Sequence, residues 1–170
     1  MKRFTAIAAL LIFVVAAGNS QNLKFGHINS DELIQAMPEF DSAQAKLEKF
    51  RKELVNALEL MTVELNNKND AYQKEAKNLT DIVKQTKEQE LIDLNKRIQD
   101  FQQNAQEQLQ NKQVELFQPI YNKVNKAIQD VGKENGFLYV FDVAKGSLVY
   151  FDETKSTNVM PLAKAKLGLK

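Results

Sequence analysis

Residues able to do covalent chemistry are scarce in this 170-residue chain. It has one histidine, His27, and no cysteine or tryptophan. His27 lies on an extended segment with no metal-ligand partner at suitable spacing, so it reads as a structural residue. Carboxylates are plentiful, 22 Asp and Glu against 23 Lys and Arg. They fall mostly four residues from lysines, as solvated partners on a helix surface, not as isolated pairs for acid–base work. No Gly-rich loop followed by Lys offers a phosphate cradle, so no nucleotide cycle is suggested. The lack of cysteine excludes disulfides, thiol chemistry and a lipid-modified N-terminal cysteine. A net charge of +1 gives no argument for nucleic acid. Asn78-Leu79-Thr80 matches a glycosylation sequon, but here it coincides with helix-cap chemistry. The chain therefore reads as a non-enzyme with no cofactor and no metal. What remains is binding through apolar side chains.

Residues 41–131 organise those side chains. Leu47, Leu54, Leu58, Met61, Leu65, Tyr72, Leu79 and Ile82 recur at spacings that suit one helix face, and Leu91, Leu94, Ile98, Phe101, Ala105, Leu109, Leu116, Ile120, Val124, Ile128 and Val131 resume the pattern. The stripe is narrow, as in a coiled-coil seam. It is weakest over residues 77–86, where Asn78 offers a C-cap and Thr80 an N-cap. The spacing predicts an antiparallel hairpin with its turn near 78–81. Its helices, 41–78 and 81–134, would be about 57 and about 80 Å long. This fold-back sets Pro119 beside Phe40, at the root of the arm. Pro119 removes a helical hydrogen bond and is expected to act as a hinge.

Met61, Leu65, Tyr72 and Phe101 are candidates to line an apolar binding wall, which the resemblance given below makes a client-binding one. The competing reading is that they pack helix on helix. At the tip, Lys74, Lys77, Lys84 and Lys87 outnumber Glu75 and Asp81. This basic end could meet acidic partners or make weak contact with anionic lipid headgroups; the alternative is a solvated helix end. The Gln-rich segment 99–113 reads as a soluble outer helix face.

Around the arm the chain changes character. Lys2 and Arg3, the apolar run 4–17 and the small residues that follow have the order of a secretory signal. Cleavage is expected after Ser20, or next after Ala17 or Gly18, with export to the periplasm. Without Lys2 and Arg3, 21 basic and 22 acidic residues remain. Residues 23–29 alternate as a strand. Asn29 or Ser30 caps a short helix that Pro38 ends. Asn135-Gly136 stops the second long helix. Residues 137–143 and 147–151 read as a β-hairpin, 152–158 as a polar loop and 159–167 as a closing helix. The expected domains are a signal peptide, 1–20; a β-rich oligomerisation body, 21–40 and 119–170; and a hairpin arm, 41–118. The class is α+β, mostly α. Three strands with exposed edges are marginal alone, so a homo-oligomer is expected, of a number the residues leave open.

This order of parts resembles the Skp/OmpH family of periplasmic chaperones. The first strand, Lys24-Phe25-Gly26-His27-Ile28-Asn29, resembles the family's Lys-Ile-Gly-Tyr-Val-(Asp/Asn) type. The helix ending at Pro38 and the Lys/Glu/Gln-rich hairpin follow. Gly136-Phe137-Leu138-Tyr139-Val140-Phe141-Asp142 then resembles Gly-Tyr-Asp-Leu-Val-Leu-Asp, and Ser147-Leu148-Val149-Tyr150 a Val-Leu-Tyr strand. The resemblance implies a homotrimer with a small β-barrel body and three arms around a cavity. It implies a holdase for unfolded outer-membrane β-barrel proteins that works without ATP. The near-neutral charge departs from strongly basic members linked to lipopolysaccharide, so no lipid-site residue carries over. The alternative function is a structural coiled-coil spacer or an adaptor docking on a fixed helical partner. Lys68, Glu75 and Lys112 interrupt the seam and favour the holdase.

Overall fold

The computed structural model describes residues 23–146 and 148–169. The signal expected at 1–20 lies outside them. Strand β1, Phe25–Ile28, alternates half-buried and buried residues. It is the centre of a three-stranded sheet of order β2-β1-β3, with β2 at Tyr139–Asp142 and β3 at Ser156–Asn158. Both pairings are parallel: Phe25 lies opposite Tyr139 on one side and Ser156 on the other. Gly26 and Ile28 face inward. An added Cβ at Gly26 would stand 2.9 Å from Val159 Cγ1 and 3.2 Å from Phe137 Cδ1, so only glycine allows this closeness. The opposite face carries the stacked rings of Phe25, Tyr139 and Phe141, with His27 against Phe151.

Two expectations are corrected here. The sheet is open and does not curl into the closed trimeric β-barrel that the resemblance implied; its strands end at β2 on one edge and β3 on the other. Among the described residues of 137–151 the expected hairpin does not form. Residues 148–151 form no strand, and Val149 and Tyr150 are almost wholly exposed. The third strand is the polar Ser156–Asn158, expected to be loop. It forms because the backbone at Val159, whose side chain is fully buried, donates to His27 and lays 156–158 along the free edge of β1.

The mostly helical character stands. Asn29 Oδ1 accepts from the Glu32 N–H at 3.2 Å, and Asn29 Nδ2 donates to Glu32 at 2.8 Å, capping α1, Ser30–Gln35. Pro38 does not close α1 but opens α2, Pro38–Glu75, where its missing N–H costs nothing. A 3₁₀ turn, Ala76–Asn78, leads through Leu79 and Thr80 into α3, Asp81–Glu134. Asn135 ends α3, and Gly136 follows at φ +68°. Helix α4, Met160–Lys166, closes the body.

The core lies where α1, α3 and α4 meet the sheet. Ile28, Leu33, Met37, Val124, Val131, Val159 and Ala163 are its most buried residues. Asp142 ties its rim: the carboxylate accepts from the Ser30 N–H and hydroxyl and from the Ala144 N–H. Partial burial pushes this carboxyl up. The bonds from Ser30 and Ala144, with Lys145 nearby, outweigh that and hold it below the usual carboxylate range.

Candidate functional site: a groove along the helical hairpin

Helices α2 and α3 lie antiparallel, as their cross-contacts show. Phe40 meets Phe117, Lys68 meets Glu90 at 3.5 Å, and Lys87 meets Glu75 at 3.4 Å. The contact between them is not uniform. In the middle of the arm Leu94 and Ile98 are buried, 3 % and 8 % exposed. Burying such side chains contributes roughly 1.5–3 kcal/mol each. Toward the tip the contact turns polar: Tyr72 donates to Glu88, whose carboxylate pushes the phenol up. The exposed cross-helix ion pairs there stabilise little, about 0–1 kcal/mol each.

Toward the root the side chains part on one face. A groove opens with two adjoining stretches, about 660 and about 370 Å³. Phe40, Leu47, Leu109, Phe117 and Tyr121 line the first. Leu54, Val55, Leu58, Phe101 and Ala105 line the second, and Arg51 and Leu109 belong to both. Gln44, Gln102, Gln106 and Gln113 also border it. The only charged lining residues are Glu48 and Arg51, 3.9 Å apart. The second stretch is thus mainly apolar and the first is mixed, with amides and one ion pair among apolar and aromatic side chains, a lining that suits uncharged chain segments with apolar side chains.

Of the four residues proposed to line a binding wall, Phe101 lines this groove, and the seam residues Leu47, Leu54, Leu58, Ala105 and Leu109 line it too. Tyr72 lies toward the tip beside a small recess of about 80 Å³ with Lys68, Ala71, Lys87, Glu90 and Leu91. Met61 and Leu65 are half-buried on α2 and border neither stretch of the groove. Lys84 lies 3.9 Å from Asp81 and Lys87 3.4 Å from Glu75, while Lys74 and Lys77 are exposed. Exposed Ile82 and Val83 stand among them. Pro119 is inside α3, exposed, between the levels of Phe117 and Tyr121. Val55 and Gln44 escaped the sequence reading because they flank the seam, and Gln102, Gln106 and Gln113, read as part of a soluble outer helix face, border the groove instead. The one available signal was an apolar residue, Val55, directly beside seam residue Leu54.

Among the described residues no group of three His, Cys, Asp or Glu can hold a metal ion, and no helix is long and apolar enough to cross a membrane. The fold is a long helical hairpin on a small open sheet, with a groove along the hairpin. The family model described as outer membrane protein (OmpH-like) matches residues 24–167, and the chain belongs to that family. It is also 30 % identical over 155 residues to an uncharacterised protein of Aquifex aeolicus (strain VF5), covering 90 % of this chain and 89 % of that one. Membership implies a chaperone-like, non-catalytic protein of the periplasm, with client contacts and oligomerisation.

Proposed function

We propose that the chain is a periplasmic holdase that binds unfolded outer-membrane β-barrel proteins without ATP and keeps them from aggregating. The carrying observation is the open apolar groove on an arm whose helices are packed shut at Leu94 and Ile98. A spacer would gain nothing from leaving Leu47, Leu54 and Leu109 bordering open space. Many such shallow contacts give weak individual binding and useful avidity. Met61, Leu65, Tyr72 and Phe101 remain the client-facing candidates of the arm, with Phe101 best placed.

In this reading residues 41–118 are the arm, and 21–40 with 119–170 the body, delivered after removal of residues 1–20. The body joins copies, three in number as the resemblance implies. The outer aromatic face of Phe25, Tyr139 and Phe141 and the exposed Val149 and Tyr150 supply apolar surface for that contact. Lys74, Lys77, Lys84 and Lys87, beside exposed Ile82, give the tip a weak affinity for anionic lipid.

The test is light scattering of a denatured outer-membrane β-barrel diluted with and without the mature chain, no ATP present, with the mass of the soluble complex read alongside. Suppressed scattering with one client per oligomer is expected. A folded oligomer that leaves scattering unchanged would leave the spacer or adaptor as the better account.

A further inference from the structure

We propose that the groove is a strand site. Each arm holds one extended segment of about eight residues, with alternating apolar and polar side chains, and grips its backbone as well as its side chains. This rests on the holdase reading and adds the class of segment held.

Length gives the first argument. On α2 the groove runs from Phe40 to Leu58, roughly 27 Å at the helical rise. An extended chain at about 3.3 Å per residue fills that with about eight residues. A strand that spans the outer membrane has about 9–11, so the trough takes most of one such strand.

The edges give the second. Gln102 and Gln106 are one turn apart on α3, about 6 Å along the axis. One edge of an extended strand offers its N–H and C=O about every 6.6 Å, two residues at the strand rise. Each glutamine amide both donates and accepts, which matches a backbone edge and no particular side chain. Gln89 and Gln118, away from the groove, bond to Asp93 and Asn122 on their own helix. Among the described residues Gln44, Gln102, Gln106 and Gln113 have no such partner, and neither do Gln85, Gln99, Gln103, Gln108, Gln110 and Gln129 elsewhere on α3, so it is the place of the four beside the groove that sets them apart.

Charge gives the third. Arg51 and Glu48 offset each other, so the trough favours a neutral segment over an acidic or basic one. A strand that lays its apolar side on Leu54 and Leu109 leaves its polar side in water. A helical segment would hide its backbone groups from the glutamine edges.

Three nine-residue peptides test this by fluorescence anisotropy with the mature chain. One alternates Val or Tyr with Thr or Ser, one has the same composition with the apolar residues in a block, and one is the alternating peptide N-methylated at alternate residues. The alternating peptide is expected to bind about tenfold tighter than either of the others. The exposed-site variant Q102A/Q106A, its fold checked by circular dichroism, is expected to lose the penalty of N-methylation. Equal affinity for all three peptides overturns the strand site, as does a penalty that survives Q102A/Q106A. Light scattering with a full-length denatured barrel runs in parallel. Suppression with equal peptide affinities removes the strand site alone, whereas no suppression removes the holdase reading with it.

Discussion

The ring of Phe40 meets the ring of Phe117 edge-on, with centroids 5.4 Å apart and planes at 66°. Phe40 belongs to the first turn of α2 and Phe117 to the C-terminal half of α3, so this contact marks where the arm leaves the body. Just beyond it, Glu39 accepts from Lys123, which holds the Glu39 carboxyl low. Phe117 is 7 % exposed. Phe117→Ala is expected to cost about 3–5 kcal/mol in urea unfolding. A loss under about 1 kcal/mol would show that the root is held by other contacts.

Gly26 gives a second test, because its position has no room for a methyl group. Gly26→Ala drives a Cβ into Val159 and Phe137 and is expected to cost about 1–3 kcal/mol. Val159→Ala leaves a cavity when made alone. The double variant is expected to be less destabilised than the two single effects added, since the smaller side chain makes room for the new Cβ. Strict additivity in thermal unfolding would deny the clash.

Asp142 links stability to pH. Its folded carboxyl is held below the ordinary value, so its contribution is fully present above the unfolded value of about 3.9 and is lost as pH falls through the folded one. Asp142→Asn is expected to cost about 1–3 kcal/mol at pH 7. The difference from wild type should shrink below about pH 4. A constant difference from pH 7 to pH 2 would show that the charge of Asp142 is not what Ser30 and Ala144 bind.

Pro119 is proposed as the hinge of the arm. It lies two residues from both Phe117 and Tyr121, where α3 leaves the core around Ile120 and Val124. Pro119→Ala restores a helical N–H and is expected to narrow the distance distribution between spin labels at Gln85 and Lys145. An unchanged distribution would remove Pro119 from the account.

Much of the arm was legible in the sequence. The turn falls where the apolar stripe fades, and the second helix was expected at 81–134, the span of α3; the expected caps do not form, since Thr80 holds the N-cap position without a side-chain bond and Ala76, not Asn78, is the C-cap of α2. Asn29 and Gly136 were legible because their roles are local: a side-chain cap, and a left-handed residue after a helix. The body was less so. Residues 148–151 have the composition of a strand but find no partner within the chain, whereas Ser156-Thr157-Asn158 has no apolar signal and is made a strand by the edge of β1. Pro38 is compatible with either the end of one helix or the start of the next, and Met37, fully buried and extended, decides for the start. The groove was illegible because periodicity tells which residues face the other helix, not where the two faces part.

The most direct test of the account places a photo-crosslinking residue at Val55 in the groove and, separately, at Leu60, which is 71 % exposed and does not line it. A denatured outer-membrane β-barrel is then offered to each variant. The account predicts strong cross-links from position 55 and weak ones from position 60. Equal cross-linking from both, or none from 55 while aggregation is still suppressed, would contradict the groove as the place where clients are held.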